Sequence, residues 1–210
     1  MMSGVFVRAV TIIVSLVFVI ATWAIAGTPD TAFLRFFSAA VFIATACVNI
    51  WDRFVWRFGW LQKLSAVPRD VSGTWETQLK SQWVDPVTGH GIPEKVVYLV
   101  IRQTSTSASV TLFSDESRSR SSLARVVKEG DAWVLHYVYT NEPGQDVRHR
   151  SQIHHGSGVL ELAGNPVQRV AGSYWTDRNS KGSLRLTRRS KKLADDYQGA
   201  RELFDEDSVS

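Results

Sequence analysis

Short strand-like segments separated by turns are the feature that most constrains the fold of this chain. From Val71 onward, runs of β-branched and aromatic residues alternate with turn-forming residues, a pattern typical of an antiparallel sandwich or barrel. The pattern predicts strands at 73–81, 95–104, 107–114, 119–128, 133–140, 148–155, 158–163, 168–177 and 182–189. Eight or nine strands in this length leave room only for hairpin turns, and closure removes the exposed sheet edges. We therefore predict an all-β domain, an eight-stranded antiparallel up-and-down β-barrel.

Alternation along each strand predicts which side chains point into the barrel, because every second residue lies on the same face. In the last hairpin, GSYWTDRNSKGSLRL from Gly172 to Leu186, the inward face changes from apolar to polar towards the turn. A barrel of about eight strands either fills itself with side chains or holds one small ligand. The predicted inward sets are Trp75, Thr77 and Leu79; Leu99, Ile101 and Gln103; Leu135, Tyr137 and Tyr139; and Gly172, Tyr174, Thr176 and Arg178.

Two long uncharged segments precede the predicted barrel. Residues 9–29 and 36–51 contain no charged side chain, and each approaches the ~20 residues that a helix needs to cross a bilayer. A signal peptide is the alternative for the first segment, but that segment is long and a second one follows almost at once. We predict a two-helix transmembrane hairpin. Basic residues precede the first helix and follow the second, which places both termini in the cytoplasm.

These patterns divide the chain into four parts. We expect the transmembrane hairpin at 1–52, a juxtamembrane amphipathic linker at 53–69, the barrel at 70–192 and an acidic tail at 193–210. The barrel region holds 17 Lys and Arg against 12 Asp and Glu, whereas the tail holds one Arg and six acids. A basic barrel suits an anionic ligand, although a modest excess of charge also serves solubility.

The sequence contains no recognisable catalytic or metal-binding pattern. It lacks a nucleophile elbow, a Walker loop and a dinucleotide-binding glycine motif, and its single cysteine rules out the usual zinc spacings. The adjacent His154 and His155 point to opposite faces of a strand, which is poor chelating geometry. The GSG run at Gly156–Gly158 is most simply interpreted as a bulge or tight bend. We therefore predict no catalytic residue, no metal and no cofactor, and a protein that is not an enzyme.

What remains is a combination of cationic, hydroxyl and aromatic side chains. Arg178 can form bidentate hydrogen bonds with phosphate, and the hydroxyls of Thr176 and Ser180 are further donors. Aromatic rings offer flat faces on which nucleobases stack. Core packing of the aromatics and solvation of the arginines stay open as alternatives. The candidate ligand-binding residues are Tyr174, Thr176, Arg178, Ser180, Trp75, Thr77, Arg102, Arg120, Tyr137 and Tyr139.

The layout and the last hairpin resemble a known family. Two predicted membrane helices, a short stalk and a barrel that opens with DVSGTWE at 70–76 precede the hairpin GSYWTDRNSKGSLRL. This arrangement resembles the two-transmembrane, β-strand-rich effectors of CBASS, a bacterial anti-phage defence system. The resemblance extends to about Arg189 and rests on G-x-W in the first strand and G-x-Y-x-T-x-R-x-[ST]-x-G in the hairpin.

The resemblance implies a lipocalin-like or avidin-like barrel that binds a cyclic di- or oligonucleotide made by a partner nucleotidyltransferase. Related effectors respond to cyclic mononucleotides, so the size of the ring stays open. Binding is expected to drive homo-oligomerisation and disruption of the lipid bilayer of the inner membrane, killing the infected cell. The hairpin motif implies that Tyr174, Thr176, Arg178 and Ser180 line the pocket. No DNA or RNA polymer is expected as a partner.

Two other functions stay open at this stage. One is a membrane-tethered, lipocalin-like carrier of a lipid or small apolar molecule, whose inward face would be apolar up to the rim and would leave Arg178 outside. The other is a hydrolase in the barrel, which would need an inward acid or histidine beside a hydroxyl group. The position of the Arg178 side chain is therefore the feature that separates these functions.

Overall fold

The computed structural model describes residues 31–84 and 89–205, together with a few helical positions between residues 8 and 23. The chain divides into two compact units. One unit ends at Phe58 and includes Thr104–Ser107, and the other contains Gly59–Gln103 and the residues from Ala108 onward.

The first unit contains helix α1 (Thr31–Arg53), followed by a 3-10 turn at Val55–Arg57. Near the end of α1, the Asn49 side chain donates a hydrogen bond of 2.8 Å to the carbonyl of Thr45 one turn earlier. The first predicted membrane span, at residues 9–27, lies largely outside the described residues. Among the residues whose structure is described, no helix combines the length and the apolar character needed to cross a bilayer.

The segment predicted as a linker, residues 53–69, consists of short turns and one short helix. Helical structure is interrupted at Phe54, and only Gly59–Gln62 forms a further short helix, α2. Helix α2 ends at Gln62, which is buried and forms hydrogen bonds with residues that follow it. Its side-chain oxygen accepts from the Asp70 amide at 3.0 Å, and its side-chain nitrogen donates to the carbonyl of Pro68 at 2.9 Å. The linker thereby folds back onto the start of the barrel.

Eight strands form a closed antiparallel barrel in which each strand pairs with the next and the last pairs with the first, as the sequence predicts. Kinks occur where the pairing register shifts, between Glu76 and Thr77 in the first strand and between Ser121 and Leu123 in the fourth. Such bulges bend a strand and increase its twist. The strands are β1 (Gly73–Ser81), β2 (Lys95–Gln103), β3 (Ala108–Phe113), β4 (Ser117–Glu129), β5 (Ala132–Pro143), β6 (His154–Ala163), β7 (Arg169–Thr176) and β8 (Lys181–Ser190).

One predicted strand is wrong. Residues 148–153 form turns, preceded by a 3-10 turn at Gln145–Val147, and β6 begins only at His154. The local hydrogen bonds explain the difference, because the amide of Ser151 donates to the carbonyl of Val147 instead of to a neighbouring strand. The GSG run does not interrupt β6, which continues through Gly158 to Ala163. The predicted strands at 148–155 and 158–163 are therefore a loop followed by the single strand β6.

The main hydrophobic core fills the barrel. Burial confirms the inward alternation predicted within the strands, as far as Thr176 in β7, whereas Arg178 lies in the turn that follows and is exposed. The largest side chains in the core include Trp75, Leu99, Leu135 and Leu160. Because the strands are antiparallel, the β3–β4, β5–β6 and β7–β8 connections lie at one end of the barrel, opposite the end at which β1 begins. At the β1 end, the Arg189 side chain donates to the Asp70 carboxylate at 2.9 Å and covers the Trp75 ring.

A second apolar cluster lies on the outside of the barrel. Helix α3 (Tyr197–Asp205) forms in the acidic tail and packs against the outer face of β2 and β3. Phe204 stacks on Tyr98 with ring centroids 5.8 Å apart and an interplanar angle of 6°. The tail therefore contacts the barrel through apolar side chains, while its acidic residues face outward.

Candidate ligand-binding site

A cavity of about 450 Å³ lies inside the barrel at the end formed by the β3–β4, β5–β6 and β7–β8 connections. This volume lies within the range of sites that hold small molecules. Apolar side chains of the strands line one part of the cavity, and polar and apolar residues of the connections line the rest. The apolar lining residues are Leu79, Trp83, Ile92, Val97, Val110, Leu112, Pro143, Val147 and Leu184.

Three tyrosines line the cavity: Tyr137 and Tyr139 on β5, and Tyr174 on β7. The rings of Tyr137 and Tyr139 are tilted by 32°, with centroids 5.7 Å apart. Burial raises the pKa of all three hydroxyl groups, and the neighbouring tyrosines contribute to the shifts at Tyr137 and Tyr139. The three side chains therefore stay neutral at physiological pH, so each can donate a hydrogen bond and present an aromatic face.

Each of these tyrosines lies opposite a glycine on the neighbouring strand. The register pairs Tyr137 with Gly158, Tyr139 with Gly156, and Tyr174 with Gly182. A Cβ atom at Gly158 would lie 2.3 Å from Cζ of Tyr137, and one at Gly156 would lie 2.4 Å from Cζ of Tyr139. The glycines therefore leave the space that the rings occupy. The interpretation of the GSG run as a bulge or bend is wrong, because both glycines lie in a continuous strand.

The turn between β7 and β8 positions Arg178 at the mouth. The Thr176 amide donates to the carbonyl of Ser180 at 2.9 Å, and the Thr176 and Ser180 hydroxyl oxygens lie 2.7 Å apart. The Arg178 amide donates to the Thr176 hydroxyl at 3.2 Å, which closes the turn. The Arg178 guanidinium donates to the Ser151 hydroxyl at 3.2 Å, and Nη1 lies 3.5 Å from Nδ1 of His154. All five side chains line the cavity.

A second group of charged residues at the mouth is centred on Glu116, in the β3–β4 connection. One carboxylate oxygen of Glu116 accepts from Nη2 of Arg150 at 2.6 Å, and the other lies 3.7 Å from Nζ of Lys95. The hydrogen bond from Arg150 is the main cause of a lowered Glu116 pKa, with a further contribution from Lys95. Glu116 is therefore ionised at neutral pH. Of the described residues that line the cavity, Glu116 alone carries a carboxylate.

Comparison with known proteins bears on the role of this cavity. A family model described as the Cap15 cyclic dinucleotide receptor domain matches residues 65–188. The chain belongs to the Cap15 family. It is also similar to CD-NTase-associated protein 15 of Staphylococcus schleiferi, with 30% identity over 149 residues, which is 71% of this chain and 76% of that protein. These matches confirm the family predicted from the sequence, and the Cap15 region contains every residue that lines the cavity.

Six of the ten candidate residues line the cavity of this Cap15 domain, and the structure brings them together from β5, β7 and the β7–β8 turn. The assignment of these residues to ligand binding stays a prediction. The six are Tyr137, Tyr139, Tyr174, Thr176, Arg178 and Ser180.

The other four candidates lie outside the cavity lining. Trp75 is in the core, where its indole nitrogen donates to the carbonyl of Val71 at 2.9 Å, and Thr77 is fully buried and bonded to the carbonyl of Trp75. Arg102 forms an ion pair with Asp195 at 3.0 Å. Arg120 lies 3.9 Å from Glu142 and is 54% exposed.

Sequence reasoning missed three polar residues of the mouth that lie outside regular strands. Glu116, Arg150 and Ser151 belong to connections, where no alternation predicts the direction of a side chain. The basic run RHR at 148–150 was the available signal, but it was assigned to a strand. The resulting site of the Cap15 domain combines an apolar wall, aromatic faces and a cationic mouth, which suits an anionic ligand that carries flat aromatic groups.

Proposed function

We propose that this protein is an effector of bacterial anti-phage defence whose barrel binds a cyclic dinucleotide in the cavity described above. The observation that carries the proposal is the position of Arg178 at the mouth of a cavity lined by three tyrosines. The description of the matching family as a cyclic dinucleotide receptor domain supports it. The chemistry also fits, because a cyclic dinucleotide has two anionic phosphodiesters and two aromatic bases.

The residues of the cavity suggest how the ligand is held. Arg178 meets a phosphodiester, since guanidinium groups bind phosphate oxygens with two parallel hydrogen bonds. The hydroxyls of Thr176 and Ser180 lie beside it and donate further hydrogen bonds. Tyr139 and Tyr174 offer faces for base stacking, and their neutral hydroxyl groups bond to base edges. We expect the barrel to bind the ligand without transforming it.

The effector role extends the proposal beyond the barrel. A partner nucleotidyltransferase supplies the cyclic dinucleotide, and binding favours a homo-oligomer that disrupts the inner membrane. Residues 1–52 anchor the chain as a two-helix hairpin, residues 53–69 link it to the barrel at 70–192, and residues 193–210 form the tail, with both termini in the cytoplasm. The uncharged runs at 9–29 and 36–51 support this anchoring. Release of the full chain from membranes by alkaline carbonate would reject it.

Calorimetry on the full chain in mild detergent tests the binding function. The probes are synthetic 3′,3′-linked cyclic dinucleotides that cover all pairings of the common RNA bases. We expect at least one to bind, and Arg178→Ala to weaken that binding about 10- to 100-fold, the range for a charge-assisted hydrogen bond. Arg120→Ala is the matched control. It removes the same charge from the outer face of β4, and we expect an affinity within about twofold of wild type.

Three outcomes would reject the binding function as stated. They are a wild-type protein that binds none of the probes, an Arg178→Ala variant with unchanged affinity, and an Arg120→Ala variant that loses as much affinity as Arg178→Ala. A fluorescent fatty acid added to the same samples distinguishes the carrier function. Saturable binding of the fatty acid that is unaffected by Arg178→Ala, together with no cyclic dinucleotide binding, would support a carrier instead.

A further inference from the structure

The Glu116 carboxylate lies between two cations at the mouth of the cavity. Arg150 holds one oxygen with a hydrogen bond of 2.6 Å, and Lys95 lies 3.7 Å from the other. The three side chains come from different parts of the barrel: the β3–β4 connection, the β5–β6 connection and the start of β2. Lys95 and Arg150 are thus already arranged around an anion, and that anion belongs to the protein itself.

We propose that Lys95 and Arg150 form a second anion subsite, which receives a phosphodiester of the ligand, and that Glu116 occupies this subsite until the ligand displaces it. This inference rests on the proposed function. It adds that the Glu116 carboxylate competes with the ligand phosphodiester for the two cations. Arg178, with Ser151 and His154 beside it, forms the first subsite. Glu116 therefore determines how strongly an incoming anion must bind.

The exchange is chemically balanced. A carboxylate and a phosphodiester each carry a single negative charge shared between two oxygens, and a guanidinium group binds both in the same bidentate way. The displaced carboxylate has access to water, because the Glu116 side chain is already 37% exposed. Ion pairs with this degree of exposure are weakened by solvent, so the internal competitor can be displaced.

Only the Glu116 side chain has to move. Its carbonyl accepts from the Gly144 amide at 2.8 Å, and its amide donates to the Ser114 hydroxyl at 3.3 Å. These two bonds fix the backbone of the connection independently of the carboxylate. The cations can therefore keep their positions while the carboxylate swings out and a phosphodiester takes its place.

The two subsites are linked by the β5–β6 connection, because Arg150 of the second subsite directly precedes Ser151 of the first. A cyclic dinucleotide has two phosphodiesters and can fill both subsites at once. A cyclic mononucleotide has one and leaves the other cations paired with Glu116. The arrangement therefore predicts selectivity for ligands with two phosphodiesters in one ring.

Removal of the competing charge tests the inference. Calorimetry of the full chain with the cyclic dinucleotide panel compares wild type, Glu116→Gln and Glu142→Gln. We expect Glu116→Gln to bind the best probe about three- to tenfold more tightly, because its amide no longer competes for the cations. Glu142→Gln is the matched control. It removes the same charge from a rim residue paired with Arg120 outside the cavity lining, and its affinity should stay within about twofold of wild type.

A second variant connects the effect to the proposed subsite. Arg150→Ala alone should weaken binding about tenfold, and adding Glu116→Gln to Arg150→Ala should give a smaller gain than in wild type, because only Lys95 is then left for Glu116 to occupy. Circular dichroism checks that each variant is folded. Glu116→Gln should increase the affinity for cyclic UMP less than the affinity for a cyclic dinucleotide, because cyclic UMP fills only one subsite.

The outcomes separate this inference from the proposed function. In one outcome, wild type binds a cyclic dinucleotide, Arg178→Ala abolishes that binding, and Glu116→Gln leaves the affinity unchanged or lower. Only the competing role of Glu116 is then rejected. If wild type binds no probe, the binding function is rejected as stated, and binding by Glu116→Gln alone would then support only the competing role of Glu116. If neither protein binds any probe, both are rejected.

Discussion

At the scale of single residues, the pairing of each cavity tyrosine with a cross-strand glycine determines the shape of the site. An aromatic ring that lies over a glycine covers its exposed backbone and is itself held in one orientation. Tyr139 over Gly156 and Tyr174 over Gly182 both line the cavity, so their orientations define its width. The glycines are therefore part of the site although they offer no functional group.

Gly156→Ala should reduce both stability and ligand binding. The new Cβ would lie 2.4 Å from Cζ of Tyr139 and 2.8 Å from the carbonyl oxygen of Trp175, so the ring must move into the cavity or the strand must shift. Overpacking of this kind costs about 1–3 kcal/mol of unfolding free energy, which urea denaturation measures. Gly91→Ala is the control, because a Cβ at Gly91 meets no atom within 4 Å. Equal stability of the two variants would show that the glycine does not hold the ring in place.

The sequence predicted the residues whose direction follows from strand alternation and missed those whose position depends on a partner. Tyr174 and Thr176 line the cavity as expected, because period-2 alternation requires only that β7 be a strand, whereas Arg178 reaches the cavity from the turn that follows β7. Gly156 and Gly158 were misinterpreted because their tyrosine partners lie about 20 residues earlier, and pairing register is not visible in a single sequence. Glu116 and Arg150 lie in connections, where no periodicity applies.

At the scale of elements, the C-terminal helix α3 is the least expected part of the fold. Its sequence indicated an acidic tail and gave no partner for it on the barrel. The structure instead buries Ala200 and Phe204 against Tyr98, Val100 and Phe113 on the outer face of the barrel. The outward residues of β2 were the missed signal, because the run KVVYLVIRQ is apolar on both faces. A strand that is apolar on both faces requires cover on both sides.

Phe204→Ala should destabilise the barrel, although Phe204 lies in α3, after the last strand. The substitution removes the stacking on Tyr98 and a contact in which the Arg188 guanidinium lies 5.1 Å from the ring centroid. Truncation of a buried phenylalanine costs about 3 kcal/mol or more, which urea denaturation of the full chain measures. Glu202→Ala in the same helix removes only an exposed side chain, and we expect a change below about 0.5 kcal/mol. Equal effects of the two substitutions would show that α3 does not stabilise the barrel.

At the scale of the whole barrel, the candidate site and the start of β1 lie at opposite ends of a closed sheet. Between them lies a packed core that includes Trp75, Leu99, Leu135 and Leu160. A closed sheet has no free edge, so each strand is hydrogen-bonded on both sides and cannot separate without breaking two ladders. Binding at the mouth should therefore stabilise the strands as one cooperative unit, including their residues at the far end.

Hydrogen–deuterium exchange of the full chain measures this coupling. A ligand that binds only the folded barrel stabilises it by RT ln(1 + [L]/Kd), which is about 2.7 kcal/mol at a ligand concentration 100 times the dissociation constant. Core amides that exchange through global unfolding should then exchange about 100-fold more slowly, in β1 and β5 alike. At the same ligand concentration, Arg178→Ala should slow exchange only about two- to elevenfold, because a 10- to 100-fold weaker affinity leaves that concentration at about 1 to 10 times the dissociation constant. Slower exchange confined to the β5–β6 and β7–β8 connections would mean that binding closes the mouth locally while the strands unfold independently of it.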